Sequence, residues 1–567
     1  MTTTREPATD APVASWSRCV GCGVLHYAKK LMRSLRVCHE CGHHHRLTAT
    51  ERIEQLTDTG SFTPLGARVL ATDVLGFTDS QPYPARLAKA RAATGLDDAV
   101  IAGTARIGGR PLAMAVMDFR FMGGSLGAAV GELITLAAET ALRNGTPLLI
   151  VTASGGARMQ EGVLALLQMA KISQAIANLR DAGLLTVSLV TDPTYGGVAA
   201  SFATNTDIIV MEHGARMGFA GPRVIEQTIR QELPASFQTA EFLMAHGQVD
   251  AVQHRTDLRG WLSRLLTATR PATDRDLPDD VDTVVTDWMR LTPVDPWRTV
   301  AGARNTARPT TVDYLAGAFT GFVELHGDRT SADCPSIVAG FATIAGRPVA
   351  VVGHQKGHHT KELVRRNFGM PQPEGYRKAL RIMRLAARLG IPVVSIVDTP
   401  GAYPGRSAEE HGQSNAIAEN IAGMFELRTP VVTVVTGEGG SGGALALAVA
   451  DRVLMFEGAT YSVISPEGCS AILWGDAASA PEAARALRIT ARELLALGVV
   501  DGVLPETVGL SPDPAHMITT LRSAVATAVA ELARVEPDVL VRSRRTKFRS
   551  LATNGTAPAA PHQEAVV

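Results

Sequence analysis

The glycine-rich stretch from 437 to 450 could bind an anion through backbone groups alone. It reads GEGGSGGALALAVA and follows an apolar run, Pro430 to Val435, that predicts a buried strand. Glycine permits close approach of a ligand, and the first turn of a helix leaves N–H groups without partners. The pattern is thus typical of an anion site built from backbone amides. It is equally typical of a tight turn that only packs a helix closely against a sheet.

The first half of the chain contains the same pattern at a matched distance. Gly155-Gly156 precedes Gly401-Ala402 by 246 residues (401 − 155), and Gly196-Gly197 precedes Gly442-Gly443 by the same interval. A repeat of this period indicates two related domains rather than a solenoid. The predicted donors of two anion holes, one in each domain, are Gly155, Gly156, Gly196, Gly197, Gly401, Ala402, Gly442 and Gly443.

Four cysteines near the start of the chain have the spacing of a metal site. Cys19 and Cys22 form one CxxC motif, and Cys38 and Cys41 form a second. This spacing is typical of a zinc ribbon, in which four thiolates hold one structural Zn²⁺ ion. Two disulfides are the alternative, which a cytoplasmic protein disfavours. Replacement of one cysteine by His39, or by one of the histidines at 43 to 45, also remains open.

Alternating strand and helix patterns must position these motifs. Strands are predicted at 112–117, 148–152 and 185–190, and again at 349–352, 393–397 and 431–435. Helices are predicted at 131–142 and 159–180, so each half should form an α/β sheet covered by helices. In the second helix Val163, Leu166, Leu167, Ala170 and Ile176 lie at helical spacing, and we expect this face to be core.

Length and charge limit the possible classes of protein. A chain of 567 residues is long enough for two large domains with appendages. Lysine plus arginine equals aspartate plus glutamate, at 55 each, so the whole chain gives no electrostatic reason to bind nucleic acid or membrane. It has no apolar run of about 18 residues and no apolar signal segment at its start. We therefore expect a cytoplasmic protein.

The predicted organisation has six segments along the chain. They are a disordered start at 1–14, a zinc ribbon at 15–50, a first domain at 51–267, a linker at 268–290, a second domain at 291–535 and a basic, low-complexity tail at 536–567. The linker is predicted from a run of proline, aspartate and threonine without periodicity.

Longer motifs in both halves resemble one enzyme family. The first half, with FMGGSLG, SGGARMQEG, TDPTYGGV and GFAGPRVIEQT, resembles the β subunit of the bacterial acetyl-CoA carboxylase carboxyltransferase. The second half, with RNFGMPQPEGYRKALR, DTPGAYPG, GEGGSGGAL and YSVISPEGC, is similar to its α subunit. The resemblance covers most of the chain and implies a fusion of β and α. It also implies a crotonase-type ββα fold in each half.

The resemblance implies transfer of a carboxyl group from carboxybiotin to acetyl-CoA, giving malonyl-CoA for fatty acid or polyketide synthesis. Propionyl-CoA is an alternative acceptor. Such a transfer places negative charge on a biotin oxygen and on a thioester oxygen, and backbone N–H groups can stabilise both. The family assigns the first half mainly to the CoA thioester and the second half mainly to biotin.

Partners also follow from the resemblance. The chain contains no biotin-accepting Met-Lys-Met motif and no phosphate-binding loop of the GxxxxGK[ST] type. Biotin should therefore arrive on a biotin carboxyl carrier protein that is charged by a biotin carboxylase. We also expect a homodimer of the fused chain.

Two other classes of function fit parts of the sequence. Residues 439–443 match G-x-S-x-G, so Ser441 could be a hydrolase nucleophile with Asp451 and His516 as partners. At an offset of 246 the residue that matches Ser441 is Tyr195, which argues against a hydrolase. The basic residues of the ribbon and of the tail could bind nucleic acid weakly, as a side activity.

Overall fold

The computed structural model describes residues 16–270, 283–506 and 512–551, apart from the side chain of Arg223. The predicted disordered start, the centre of the predicted linker and the end of the predicted tail lie outside these residues. The chain forms two compact units. The first holds the described residues up to Leu243 together with Val252–Ser263, and the second holds Met244–Ala251 and the described residues from Arg264 onward.

The first unit begins with the cysteine-bearing segment. Its elements are β1 (Trp16–Arg18), β2 (Leu25–Tyr27) and α1 (Ala28–Arg33), and β1 pairs antiparallel with β2. Helix α2 (Ala49–Leu56) follows and begins at a capping box, in which Thr48 and Glu51 each satisfy the other's backbone N–H group. The first and last residues of the sequence TATE, Thr48 and Glu51, thus fix the start of the helix.

One sheet and its helices form the rest of the first unit, and the last three of these elements also include residues assigned to the second unit. The elements are β3 (Thr63–Pro64), α3 (Tyr83–Thr94), β4 (Val100–Ile107), β5 (Arg110–Met117), α4 (Ala128–Asn144), β6 (Leu148–Ser154), α5 (Val163–Asp181), β7 (Thr186–Tyr195), α6 (Gly196–Ala199), β8 (Ile208–Glu212), β9 (Met217–Gly218), α7 (Pro222–Ile229), α8 (Ala240–Ala245), β10 (Ala251–Gln253) and α9 (Leu258–Ala268). The strand order is β10-β8-β7-β6-β5-β4-β3, and β9 also pairs with β7.

A second sheet with its helices forms the second unit. The elements are α10 (Pro296–Ala303), α11 (Thr311–Ala318), β11 (Thr320–Glu324), β12 (Ile337–Ile344), β13 (Arg347–His354), α12 (Thr360–Arg365), α13 (Pro373–Arg388), β14 (Val393–Thr399), α14 (Arg406–Glu410), α15 (Gln413–Met424), β15 (Val431–Gly440), α16 (Ser441–Leu445), β16 (Arg452–Phe456), β17 (Thr460–Ser462), α17 (Pro466–Leu473), α18 (Ala480–Ala486), α19 (Ala491–Ala496), β18 (Gly502–Leu504), α20 (Pro514–Leu532) and α21 (Pro537–Ser550).

The two sheets have the same topology. The second sheet has the order β18-β16-β15-β14-β13-β12-β11, with β17 paired to β15, and this matches the first sheet strand for strand. In each sheet the central strands are parallel, and the three strands at one edge, β3-β4-β5 or β11-β12-β13, pair antiparallel with one another. The parallel strands β6 and β14 are buried along their whole length, and β15 is buried over most of its length. This is expected for a sheet covered on both faces. The repeat predicted from the sequence is therefore a repeat of the fold.

The expected core face of helix α5 was wrong. Val163, Leu166 and Leu167 are 61%, 55% and 54% exposed, and Ala170 is exposed as well. Of the five predicted core residues only Ile176 is buried. The buried residues of α5 are instead Ala165, Ile172, Ala175, Ile176 and Leu179. The helix is apolar on two faces, and helical spacing alone does not tell which of them meets the sheet.

Parts of the predicted linker and tail are ordered secondary structure. The Val285 N–H donates to the Val503 carbonyl oxygen at 2.8 Å, so this part of the linker adds an antiparallel bridge to strand β18. Residues Pro537–Ser550 of the tail form helix α21, and Arg544 within it is buried. Both nitrogens of this guanidinium that face Asp451 donate to its carboxylate, at 3.0 and 2.7 Å. An ion pair and packing stabilise the segment, which basic composition alone did not indicate.

Within the described residues, no helix has the length and apolar character needed to cross a membrane.

Candidate active site

The first predicted turn lies where strand β6 ends. The Gly156 N–H donates to Ser154 Oγ at 3.0 Å, and the Gly155 N–H donates to the Gly123 carbonyl oxygen at 2.8 Å. Gly156 has a φ of +124°, which residues with a side chain rarely adopt. Among the described residues, none accepts a hydrogen bond from the next N–H group, that of Ala157.

The second turn of the first unit joins β7 to α6. The Gly196 N–H donates to the Phe219 carbonyl oxygen at 3.0 Å. The N–H of Gly197 lies in the first turn of the helix and has no partner in the described part of the chain. A Cβ atom on Gly197 would lie 3.7 Å from the Cβ of Ala157, so the two turns are in contact. Together they offer the N–H groups of Ala157 and Gly197 to an anion.

The second unit repeats this arrangement with different side chains. The Gly401 N–H donates to Thr399 Oγ1 at 3.1 Å, and Gly401 has a φ of +151°. The N–H groups of Ala402 and Gly442 have no partner among the residues that the structure describes. A Cβ atom on Gly443 would lie 2.4 Å from the Ala402 nitrogen, so only glycine permits this approach. The two turns of this unit also meet in one place.

The sheet register corrects the residue pairing predicted from the sequence. Ser154 pairs with Thr194 in the first sheet, and Thr399 pairs with Gly439 in the second. Both pairs are related by 245 residues (399 − 154 and 439 − 194), not 246. The matched positions are therefore Gly155 with Pro400, Gly156 with Gly401, Ala157 with Ala402, Gly196 with Ser441, Gly197 with Gly442 and Val198 with Gly443.

Of the eight predicted donors, Gly197, Ala402 and Gly442 have an N–H group without a partner among the described residues. The N–H groups of Gly155, Gly156, Gly196 and Gly401 donate instead to neighbouring oxygens within the turns. Gly443 lies inside helix α16, where its lack of a side chain admits the Ala402 nitrogen. The glycine motif did not point to Ala157, whose N–H group also lacks a partner, because this residue follows the glycine pair. Its equivalence to Ala402 was the signal that could have found it.

A buried ion-pair cluster supports the first turn from beneath. Arg158 is 1% exposed, and its guanidinium donates to the Asp98 carboxylate at 2.5 Å and to Glu161 at 3.1 Å. The Glu161 carboxylate in turn accepts from the Ala128 N–H at 2.5 Å, at the start of helix α4. Although burial opposes the charge, Asp98 raises the pKa of Arg158, which stays protonated. The cluster fixes the residue that directly follows Ala157.

A cavity of about 570 Å³ opens beside the first turn and is lined by several basic side chains. Its lining includes Gly155, Gly156, Ala157 and the basic residues Arg86, Lys89, Arg120 and Arg158. Arg86 and Arg120 each pair with one carboxylate, whereas Lys89 is exposed. A phosphate-bearing ligand with an electron-rich oxygen at the turn fits this combination of charges and amides.

The four cysteines come together as the sequence predicted. Their sulfur atoms all lie within 4.8 Å of one another, and the Cys19–Cys41 and Cys22–Cys38 sulfur distances are 3.7 and 3.8 Å. A disulfide requires about 2.05 Å, and all four are free thiols. A tetrahedral ion with bonds of about 2.3 Å would place its ligands about 3.8 Å apart, so the residues fit Zn²⁺.

Buried charges attach the cysteine segment to the sheet of the first unit. Glu212 ends strand β8, and its carboxylate accepts hydrogen bonds from Arg52 at 2.5 Å and from Arg255 at 2.7 Å. Arg255 also donates to the carbonyl oxygens of Leu35 and His45, both at 2.7 Å. His44 was one of the histidines that could replace a cysteine as a metal ligand. Its Nδ1 atom lies 2.8 Å from Glu212 Oε1, so it contacts this carboxylate instead.

The predicted hydrolase triad is not assembled. Asp451 accepts from Arg544 and from the Val431 N–H at 2.8 Å, which leaves it no oxygen directed at a histidine. Ser441 is exposed and has a φ of +56°, and no hydrogen bond joins it to His516 among the described residues. Its match in the first unit is Gly196, not Tyr195, and Gly196 has a similar φ of +60°. The conformation therefore belongs to the turn rather than to a nucleophile.

Comparisons with known proteins agree with this geometry. A family model described as acetyl co-enzyme A carboxylase carboxyltransferase-like matches residues 279–552. The "Acetyl-coenzyme A carboxylase carboxyl transferase subunits beta/alpha" of Salinispora arenicola is 60% identical over 543 residues, covering 94% of this chain and 96% of its own. The chain belongs to the acetyl-CoA carboxylase carboxyl transferase family. The fused order of β before α, inferred from the motifs, is confirmed.

Further relatives of the carboxyl transferase show the separate parts and the fold. The α subunit of the Thermus thermophilus enzyme is 57% identical over 257 residues, covering 45% of this chain and 81% of its own. A solved transcarboxylase 12S, with methylmalonyl-CoA and methylmalonic acid bound, has a TM-score of 0.68 at 26% identity and covers 91% of this chain and 92% of its own. The expectation of two crotonase-type domains after a cysteine ribbon is confirmed.

Proposed function

We propose that this carboxyl transferase moves a carboxyl group from carboxybiotin, carried on a separate protein, to acetyl-CoA and so forms malonyl-CoA. The observation that carries the proposal is the 60% identity, over nearly the whole length of both chains, to an enzyme of that name. The paired turns supply the chemistry, since one unit can bind each of the two oxygens that become negative.

The roles of the residues follow from their free N–H groups. In the first unit Ala157 and Gly197 donate to the thioester oxygen as the acetyl methyl group loses a proton to the ureido nitrogen that the carboxyl group has left. In the second unit Ala402 and Gly442 donate to the ureido oxygen when the carboxyl group leaves. One such donor contributes on the order of 3 kcal/mol where it has been measured. The glycines Gly156 and Gly401 hold the turns in a backbone conformation that other residues rarely adopt.

The cation-rich cavity of the first unit supports its assignment to the CoA substrate. Arg86, Lys89 and Arg120 line the same cavity as the first turn, and CoA carries three phosphate groups. Arginine and lysine bind phosphate through charge-assisted hydrogen bonds, which supports the binding of CoA at this cavity. In the same proposal the domain for the CoA substrate spans residues 51–267 and the domain for biotin spans residues 291–535.

A structural Zn²⁺ ion completes the ribbon in this account. Cys19, Cys22, Cys38 and Cys41 would hold it as thiolates, and zinc binding contributes about 10–16 kcal/mol in finger peptides. The ion closes the ribbon, while the Glu212 cluster attaches it to the domain. No step of the carboxyl transfer involves it.

The proposal includes partners that the chemistry requires. A biotin carboxyl carrier protein brings the carboxyl group, and a biotin carboxylase loads it. The fused chain acts as a homodimer in the cytoplasm, where acyl-CoA thioesters are made and used. Weak nucleic-acid binding by the basic ribbon is a side activity, and a salt-dependent mobility shift that is lost on deleting the ribbon tests it.

A reverse transfer assay tests the main proposal. Purified chain is mixed with malonyl-CoA or methylmalonyl-CoA and with biotin methyl ester as the acceptor, and acyl-CoA release is followed. We expect malonyl-CoA to be the better donor. The similarity to a transcarboxylase with bound methylmalonyl-CoA makes propionyl-CoA the second candidate acceptor. Faster reaction with methylmalonyl-CoA would favour it, and no reaction with either donor would contradict the function.

A further inference from the structure

The parallel ladder between β14 and β15 is interrupted just before the second anion site. Val397 pairs with Val435, but the next pair is Thr399 with Gly439. Asp398 therefore lies opposite three residues of β15, at 436–438, that make no pair with β14. Asp398 precedes the donor Ala402 by four residues, and Glu438 precedes the donor Gly442 by four. Only one ladder pair, Thr399 with Gly439, follows the interruption, so backbone pairing between β14 and β15 gives little support at this point.

A buried lysine bridges the interruption. Lys356 follows strand β13, and its Nζ atom lies 2.7 Å from Asp398 Oδ1 and 2.8 Å from Glu438 Oε2. The Glu438 N–H also donates to Asp398 Oδ1 at 2.9 Å. The side chains of all three residues are only 12–13% exposed. Arg304 extends the cluster, since its Nε atom donates to Glu438 Oε1 at 2.7 Å.

The first unit shows that the fold does not require these charges. Its ladder is interrupted at the same place, where Thr152 pairs with Val190 and Ser154 with Thr194. The positions that match Lys356, Asp398 and Glu438 by strand register are Phe119, Ala153 and Pro193. None of them can ionise. A buried ion cluster costs desolvation and is weak evidence for stability, so its presence in one unit alone calls for a functional reason.

We propose that Lys356 is a positioning residue of the second anion site. By joining Asp398 to Glu438 it fixes the spacing of the Ala402 and Gly442 N–H groups, and so prepares them for the ureido oxygen before the reaction begins. The inference rests on the proposed carboxyl transfer and assigns Lys356 to the biotin step only.

The protonation of the cluster is consistent with this role. Burial disfavours the ammonium group, but Asp398 and Glu438 raise the pKa of Lys356, so it is charged at neutral pH. The other groups near it are Arg304 and His354. Glu467 and Glu438 raise the pKa of Arg304, which stays charged, and burial lowers the pKa of His354 to about 3. His354 is therefore neutral.

The test compares two buried lysines of the same unit. Lys356→Met removes the bridge, whereas Lys378→Met removes a lysine that is 1% exposed and donates to Asp333 at 2.6 Å and to the Ile337 carbonyl oxygen at 2.7 Å. The reverse transfer from malonyl-CoA to biotin methyl ester is measured on the folded fraction of each variant. We expect Lys356→Met to lower kcat about a hundredfold with an unchanged KM for malonyl-CoA, and Lys378→Met to lower thermal stability but not kcat.

A conservative variant separates positioning from general loss of structure. Lys356→Arg keeps a cation beside the Asp398 and Glu438 carboxylates. It should therefore recover part of the kcat that Lys356→Met loses, at an unchanged KM for malonyl-CoA. If Lys356→Met does not fold, Glu438→Gln serves instead, with about a tenfold lower kcat expected.

Several results would overturn the inference. A kcat within about threefold of wild type in Lys356→Met, or in Glu438→Gln if the first does not fold, would do so. A fall in kcat no larger than that of Lys378→Met would also overturn it. So would a fall in the affinity for malonyl-CoA as large as the fall in kcat. Failure of the wild-type chain itself to transfer would instead contradict the proposed function, and this inference with it.

Discussion

The two units hold the same pair of turns in different ways. In the first unit the Gly155 N–H donates to Gly123, and the Arg158 cluster lies directly beneath. The second unit has Pro400 at the position of Gly155, and proline has no N–H to donate. There Lys356 bridges the strand ends instead. The fold thus determines where the paired turns form, while a separate set of side chains supports the turns of each unit.

Strands β8 and β16, which match in the two sheets, show a second difference. Glu212 ends β8 and binds Arg52 and Arg255, which attach the ribbon. The matching residue at the end of β16 is Phe456, which is buried and stacks on Tyr314 with ring centroids 6.2 Å apart. The same position is thus a charged attachment point in one unit and apolar core in the other.

The largest effect on stability is expected from replacing Glu212, the charged member of this pair of matched residues. Glu212→Gln leaves Arg52 and Arg255 buried without a counter-charge, which should cost about 3–5 kcal/mol in the unfolding of the first unit. Phe456→Leu, the matched change, should cost about 1 kcal/mol. Urea unfolding measures both. Equal effects of the two changes would contradict the difference between the units.

The Glu212 contribution should also depend on pH. Burial opposes its charge, but Arg52, His44 and Arg255 hold the pKa of Glu212 well below its usual range. A lowered pKa in the folded state stabilises above the ordinary value of about 4.3 and loses that effect as the pH falls below it. The stability difference between wild type and Glu212→Gln should thus be constant from pH 6 to 8 and shrink below about pH 4.

Gly443→Ala should have the largest effect on catalysis. The added Cβ atom would meet the Ala402 nitrogen at 2.4 Å, so the donor must move. A displacement of about 1 Å costs about a hundredfold in rate. Reverse transfer assays on the folded variant measure it, and a kcat within tenfold of wild type would show that Ala402 is not a donor.

Gly197→Ala is the milder change in the first unit. Its Cβ atom would meet the Met169 sulfur at 3.0 Å, and a methionine side chain can move away. We expect a loss in kcat of less than about tenfold, in contrast to the backbone clash at Gly443. A loss as large as that of Gly443→Ala would mean that the turn tolerates no side chain at all.

The smallest effects come from exchanging Ser441 and Gly196. Both residues have a positive φ, near +60°, which disfavours a side chain. Ser441→Gly should therefore leave kcat unchanged and alter stability by less than about 1 kcal/mol, whereas Gly196→Ser should destabilise by about 1 kcal/mol. Thermal unfolding measures both. Loss of activity in Ser441→Gly would revive a nucleophile at this position.

Much of the fold was visible in the sequence, because the repeated motifs lie at strand ends that a duplicated sheet must place alike. The ribbon was equally clear, since its ligands are close in sequence. The pairing of individual residues was one position out, because Pro400 replaces Gly155 and motif matching aligns glycine with glycine. Lys356, Asp398 and Glu438 gave no local signal. They are about 40 residues apart and meet only through the register of three strands.

The central claim is that each unit stabilises one of two negative oxygens, and two half-reactions test it most directly. Decarboxylation of malonyl-CoA without an acceptor needs only the thioester site, and decarboxylation of a free carboxybiotin ester needs only the biotin site. We predict that Gly156→Ala slows the first reaction alone and that Gly443→Ala slows the second alone, in variants that keep the wild-type thermal transition. If each variant slowed both reactions by the same factor, the assignment of one site to each unit would be contradicted.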